Sequence, residues 1–315
     1  MHNVIAHVAC NNNIFNYMLN FRHIEISDKK LIDSCLQSKH SRSCDYCFAN
    51  LYAWQERFKT VFTVFHDTLF VKFEDNGATF YMFPLGKMPL KKALKLLEND
   101  ARERSVELKI KAISEEMWQQ IQKEMPDKFS FLPERENFEY LYFTEKLINL
   151  SGKKLQSKRN HINRFKAENA DWEFALINTR EDCYDCWNML KAWENENLTV
   201  SSPSLIYDFK ASELMLKHFD ELGLQGGMIK INGQIAAFAV GEPLDNETFV
   251  VHIEKAPRDM NGGYAIINQQ FAEHIAANYL YINREEDLGL DSLRKAKLSY
   301  QPAVLLQEGV VTLIA

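Results

Sequence analysis

At 315 residues the chain is about twice the length of a common ~150-residue domain, so it accommodates two domains or one large one. Hydrophobic residues at 46% and charged residues at 25% are ordinary globular usage and argue against a disordered chain. The net charge of -6 argues against general coating of nucleic acid, which needs an excess of Lys and Arg to neutralise phosphates.

The opening Met1-His2-Asn3 lacks the charged-then-apolar layout of a signal peptide, and no apolar run reaches the ~18 residues of a membrane span. A cytoplasmic location is therefore expected. From Phe48 to Phe58 the spacing of Leu51, Trp54 and Phe58 predicts a helix. Val61 to Phe73 and Thr79 to Phe83 read as strands, with Glu74-Asp75-Asn76-Gly77 as the hairpin turn between them. Pro89 then opens an amphipathic helix to Arg104 with Leu90, Ala93, Leu94 and Leu97 on one face, and Val106 to Ala112 reads as a strand.

The most basic stretch follows. Lys153, Lys154, Lys158, Arg159, Arg164 and Lys166 fall within fourteen residues that hold no acid. As a helix over Gly152–Glu168, this stretch places Lys153, His161 and Arg164 on an arc of ~80°, with Leu155 and Ile162 opposite. A basic face over an apolar one suits a polyanion such as tRNA, read here through Lys153, Lys154, Lys158, Arg159, His161 and Arg164. Trp172, Trp187 and Trp193 are expected to pack the linking helices.

The C-terminal third repeats the earlier order. Gly227 to Ile231 and Gln234 to Gly241 flank the hairpin signal Asn232-Gly233, and Thr248 to Glu254 alternates as a third strand. Gly262-Gly263 leads into a helix from Tyr264 to Ala277, and Tyr279 to Asn283 returns as a strand. Strand, hairpin, strand, helix, strand thus occurs twice, which predicts an α+β fold of two lobes, residues 1–150 and 151–315, with chemistry in the second. Six cysteines read as reduced thiols. The pairs Cys44/Cys47 and Cys183/Cys186 each sit in a segment that reads as helix, about 135 residues apart, so they read as buried thiols and no metal is expected.

Three stretches carry a family resemblance. They are Lys153-Lys154-Leu155-Gln156-Ser157-Lys158-Arg159-Asn160-His161-Ile162-Asn163-Arg164-Phe165, then Asn283-Arg284-Glu285-Glu286-Asp287-Leu288-Gly289 continued by Leu293-Arg294-Lys295-Ala296-Lys297-Leu298-Ser299-Tyr300-Gln301-Pro302, and Asn50-Leu51-Tyr52-Ala53-Trp54. The chain resembles the phosphatidylglycerol lysyltransferase C-terminal domain family. The resemblance implies two tandem GNAT-like (acyl-CoA N-acyltransferase-like) lobes, each a mixed, mainly antiparallel sheet with packed helices, related to Fem-type transferases that take amino acids from aminoacyl-tRNA. It also implies a substrate site at Asn283, Arg284, Glu285, Arg294, Lys295, Lys297 and Tyr300. Members that make aminoacylated lipid carry a multispan membrane portion, which is not found in this sequence. The acceptor, soluble or at a membrane surface, is left open.

In acetyl-CoA-using members of the superfamily, a Gln or Arg, two residues, Gly, one residue and Gly or Ala open the helix whose amides hold the pyrophosphate. Met260-Asn261-Gly262-Gly263-Tyr264-Ala265 keeps the small residues, with Gly262 and Gly263 able to hold phosphate, but has Met260 in the polar place. Aminoacyl-tRNA is therefore favoured over acyl-CoA as donor, and no separate cofactor is required. His252 and Glu254, alternating on one strand, are expected to share a sheet face as general-base candidates, and Asp287 or Glu285 to orient an amine while Arg294 and Lys297 hold phosphates. A strand end, a glycine loop and the charged segment after the next strand should converge on one cleft. No Gly-x-Ser-x-Gly elbow is present, which argues against a serine hydrolase. A polyanion-binding protein without catalysis is the remaining alternative.

Overall fold

The computed structural model describes residues 18–36, 41–197 and 203–314, with the side chains of 193–204 outside that description, Trp193 among them. The N-terminal start, including Met1-His2-Asn3, also lies outside the described residues. The first sheet begins with β1 (Arg22–His23), β2 (Val61–Val64), β3 (Thr68–Asp75), β4 (Ala78–Tyr81), β5 (Leu85–Gly86), β6 (Lys109–Ser114) and β7 (Phe129–Pro133). The second holds β8 (Glu139–Phe143), β9 (Glu173–Leu176), β10 (Gln225–Ile231), β11 (Gln234–Pro243), β12 (Thr248–Lys255), β13 (Tyr281–Asn283) and β14 (Val304–Leu306). The chain then returns to the first sheet as β15 (Glu308–Leu313).

Both expected hairpins form. Asn76-Gly77 and Asn232-Gly233 each carry two successive left-handed residues, the backbone that a two-residue turn between twisted strands requires. The run read as one strand from Val61 to Phe73 is instead two, because His66 and Asp67 also take left-handed φ and reverse the chain between β2 and β3. The helix expected over Phe48–Phe58 likewise breaks at Trp54, into Phe48–Ala53 and Gln55–Phe58.

Each sheet is antiparallel except for one adjacent pair. β4 lies parallel to β6 across the helix Leu90–Glu103, and β12 lies parallel to β13 across the helix Gly263–His274. Helices of this length are the connections that parallel neighbours need. The fold is thus α+β with two tandem GNAT-like sheets. The spatial orders β1-β2-β3-β4-β6-β15-β7 and β9-β10-β11-β12-β13-β8-β14 match strand for strand.

That match exposes an exchange. The strand wedged between β13 and β14 is β8, which follows β7 of the first sheet, while the strand wedged between β6 and β7 is β15, which follows β14 of the second. Each half therefore supplies the other's penultimate strand, and the expected boundary between residues 150 and 151 does not divide the sheets. The second sheet buries both faces. Phe238, Val240 and Ile253 join the apolar core of the first sheet, whereas Ala237, Ala239, Phe249 and Val251 pack with Ile266, Ile267 and Phe271 of the helix Gly263–His274. Among the described residues no helix is long and apolar enough to cross a membrane.

Candidate functional site

The register of β12 slips at the position expected to carry the base. Ile253 pairs with Val240 and Val251 with Gly241, so His252 is the extra residue of a β-bulge. A bulge interrupts the alternation of side chains and re-aims one of them. His252 and Glu254 consequently do not share a face: His252 meets Cys47 of the N-terminal half, while Glu254 meets Asn268 on the helix Gly263–His274. This corrects the expectation drawn from alternation alone.

Around Glu254 a charged cluster is buried beside the basic helix. One Glu254 oxygen accepts from Arg284 Nη2 at 2.8 Å and the other from Asn268 Nδ2 at 3.2 Å. The Arg284 guanidinium lies 4.9 Å from the centroid of the Tyr300 ring, and Lys158 Nζ lies 4.1 Å from the same ring. Cations over an aromatic face gain from its quadrupole, more so when desolvated. Burial, with the Arg284 charge nearby, lowers the proton affinity of Lys158 below its ordinary value. Two buried polar atoms of this cluster have no partner: Arg284 Nη1, a donor, and Asn268 Oδ1, an acceptor. Such atoms are costly to leave unsatisfied, which suits them to a group of complementary hydrogen-bonding sense.

The loop after β13 is held from within. Asn283 is fully buried; its Oδ1 accepts from the Glu285 amide at 2.8 Å and its Nδ2 donates to Glu139 and to the Arg42 carbonyl. Glu285 and Leu288 take left-handed φ, which bends the loop back on itself. Asp287 is fully buried and saturated, with both oxygens held by Arg294 at 2.8 and 2.9 Å, one by Tyr140 and Arg135, and the other by the Gly289 amide. Burial alone would raise its proton affinity, but Arg294, Tyr140 and the Gly289 amide hold its carboxyl well below the usual carboxylate range. Asp287 and Arg294 therefore serve each other rather than an amine and a phosphate.

Lys297 is also turned inward. Its Nζ donates to the carbonyls of Arg284 and Glu286, and burial lowers its proton affinity. Lys297 and Arg294 thus pin the 284–289 loop instead of presenting a phosphate clamp. Lys295 is exposed on the same helix, Asp291–Leu298.

His252 sits in a second cluster, on the side of the first sheet. Its Nδ1 lies 2.8 Å from Glu285 Oε1, and its Nε2 lies 3.3 Å from Glu242 Oε1 and 3.9 Å from Cys47 Sγ. Burial opposes the charged imidazole, yet the Cys47 sulfur and the two glutamates raise its proton affinity well above the ordinary value. An imidazole held protonated between two carboxylates is a poor general base. Burial, aided by Glu242, pushes the Cys47 thiol up to about 12, and its sulfur lies 3.2 Å from the Cys44 carbonyl. Among the described residues, Cys47, Glu242 and His252 form the one group whose metal-ligating atoms all lie within 4.8 Å of one another.

The basic stretch is a 3-10 turn over Lys153–Leu155 followed by the α-helix Gln156–Glu168, not one helix from Gly152, so the arc expected to join Lys153 to His161 and Arg164 does not hold, while Leu155 and Ile162 are buried as expected. Lys153, Lys154 and His161 are exposed, and so is Arg164, paired with Glu168 at 2.7 Å. Arg159 instead caps the preceding helix by donating to the carbonyls of Leu150 and Gly152. The glycine loop meets the same helix. A Cβ on Gly262, which has φ +80°, would fall 2.4 Å from the His161 carbonyl oxygen, so glycine here permits helix packing.

Residues 37–308 match the model of the phosphatidylglycerol lysyltransferase C-terminal family. The chain belongs to this family. A conserved protein of unknown function from Bacteroides thetaiotaomicron has a similar structure, with a TM-score of 0.87 and 37% identity over 94% of this chain and 100% of that one. The C-terminal domain of a candidate lysylphosphatidylglycerol synthetase from Agrobacterium fabrum shares the fold at a TM-score of 0.64 and 11% identity, covering 92% of each chain. In sequence, an uncharacterised protein of Mycoplasmoides gallisepticum is 30% identical over 182 residues, and the match spans 56% of each protein. The chain thus covers little more than half of that curated relative's length.

Three participants were missed by sequence reasoning. Cys47, Glu242 and Asn268 lie in separate elements, and only the Cys44/Cys47 pair drew attention, as thiols. Glu242 continues the apolar strand Gln234–Pro243, where a buried carboxylate inside an otherwise apolar run was the available signal.

Proposed function

We propose that the chain moves an aminoacyl group from aminoacyl-tRNA to an acceptor amine or hydroxyl at the Glu254 cluster. The observation that carries this reading is a pair of buried polar atoms without partners, Arg284 Nη1 and Asn268 Oδ1, on the two side chains that Glu254 anchors through their other polar atoms, Arg284 Nη2 and Asn268 Nδ2. One donates and the other accepts. An aminoacyl ester offers the complement, a carbonyl oxygen that gains negative charge during transfer and an α-amino group that donates. A fixed guanidinium N–H aimed at the developing oxyanion is the stabilisation that acyl transfer needs. Lys158 and the exposed Lys153, Lys154 and Arg164 would meet phosphates of the tRNA acceptor end.

Met260, standing where users of coenzyme A have a polar residue, favours tRNA over coenzyme A as donor. For the acceptor, the family's name points to phosphatidylglycerol. Leu288 and Leu290, more than half exposed on the loop beside the site, support a substrate with an apolar part at a membrane surface.

A discharge assay with radiolabelled aminoacyl-tRNA, run beside a thiol-release assay with acyl-CoA, tests the reading. Discharge in the first and silence in the second are expected. Arg284→Lys, which keeps a charge for Glu254 but loses the fork, should lower turnover about 10²-fold or more. Thiol release without tRNA discharge would sink the proposal.

A further inference from the structure

The cluster on the other side of β12 has no part in that reading and has a chemistry of its own. We propose that Cys47, Glu242 and His252 form a zinc-binding site, with Glu285 as the partner that orients the histidine.

The donor set is thiolate, carboxylate and imidazole, the three ligand types zinc takes, and a soft thiolate selects against magnesium and calcium. The spacing fits one ion. Ligands at ~2.0–2.3 Å from a tetrahedral centre stand about 3.3–3.6 Å from each other. His252 Nε2 lies 3.3 Å from Glu242 Oε1 and 3.9 Å from Cys47 Sγ, and all three donor atoms lie within 4.8 Å of one another, so side-chain rotations alone would bring them to one centre. Glu285 accepts from the far ring nitrogen at 2.8 Å, which holds the Nδ1 proton in place and leaves Nε2 as the nitrogen that turns to the metal once its own proton is released. The side chains of His252 and Glu242 are 1% and 10% exposed, so the ligands are already desolvated and positioned.

Each ligand is placed by a separate feature of the fold. The bulge turns His252 out of the alternation of β12, Glu242 comes from neighbouring β11, and Cys47 caps the start of the helix Phe48–Ala53. The ion would therefore tie the N-terminal half to the second sheet. Binding releases the Cys47 thiol proton and the proton on His252 Nε2, and the ion's two charges are then matched by the thiolate and the Glu242 carboxylate. Three protein ligands leave a fourth position for water, the pattern of zinc sites that keep an open place.

The test needs no enzymatic assay, so its failure leaves the aminoacyl transfer reading standing, and the reverse holds too. The full chain is stripped with a chelator and titrated with Co(II), then with Zn(II) in competition. One ion per chain and a thiolate-to-cobalt charge-transfer absorption are expected. Cys47→Ser should abolish that absorption while Cys44→Ser keeps it. Glu285→Gln should retain it with affinity lowered about 10–100-fold, the effect of losing a partner behind a metal-bound histidine. If Cys47→Ser does not fold, the Glu285→Gln titration decides by itself. Absence of the charge-transfer absorption in the wild-type chain, its survival in Cys47→Ser, or an unchanged affinity in Glu285→Gln would overturn the proposal.

Discussion

Lys297 shows how far a residue's surroundings can change its meaning. In sequence it stands in a charged run that suits phosphates; in the fold it is 8% exposed and donates to two carbonyls of the loop that carries Arg284 and Asp287. Lys297→Ala should therefore destabilise the protein, by roughly 1–3 kcal/mol for buried carbonyls left without a donor, read as a lower urea midpoint at unchanged slope. A midpoint equal to wild type would return Lys297 to the surface. The residues of the candidate site were partly legible because charge and family pattern single out Arg284, Tyr300 and Lys158. Their roles were not, since His252 and Glu254 read as same-face neighbours until the bulge separates them. A bulge is set by partner-strand pairing, and one strand's own sequence does not carry it.

Among the elements, the hairpins and the basic helix were the most legible, because turn chemistry and helical periodicity are local properties. Asn76-Gly77, Asn232-Gly233, the helix Leu90–Glu103 and the buried Leu155 and Ile162 all stand where their patterns place them. Strands β1, β5, β7, β8, β9, β14 and β15 were missed; β8 and β15 are the exchanged strands, defined by neighbours more than a hundred residues away in sequence, and the others are short or lie towards a sheet edge. For the basic helix the structure sorts the cations: Arg159 is structural, Lys158 faces Tyr300, and Lys153, Lys154 and Arg164 face solvent. Replacing those last three together by Ala should weaken tRNA binding and flatten its salt dependence, by roughly 0.7–0.9 in log-log slope for each phosphate no longer neutralised. Folding should be unaffected, as the three are exposed. An unchanged slope would make the helix a solvated face.

At the scale of the whole molecule, the exchange of β8 and β15 puts two carboxyls at matching places. Glu139 opens β8 and Glu308 opens β15, both are 1% exposed, and they act on each other electrostatically where the chain crosses between sheets. Burial, reinforced by Asp45, raises Glu139 from the ordinary 4.5 to about 8. Burial, then Glu139, Asp45 and Glu286, raise Glu308 well above its ordinary value, and Glu308 Oε1 has no hydrogen-bond partner. Two carboxylates buried together cannot both ionise cheaply, so the folded protein holds protons that the unfolded chain has released. The sign follows from linkage: a folded state that binds more protons loses stability as pH rises, here from about 4.5, the unfolded value, to about 8, the folded value of Glu139. Carboxyls held low, such as Asp287, act in the opposite sense and at lower pH, whereas burial raises Asp45 to about 6 and Glu286 to about 7, so these two add to the loss within the same window. Glu308→Gln removes one of the two coupled charges while keeping its volume. Unfolding free energies in urea between about pH 5 and pH 8.5 should fall in the wild type by on the order of a few kcal/mol and fall less steeply in the variant, which becomes the more stable of the two at the alkaline end. Parallel pH profiles would mean that the crossing is not held by shared protons.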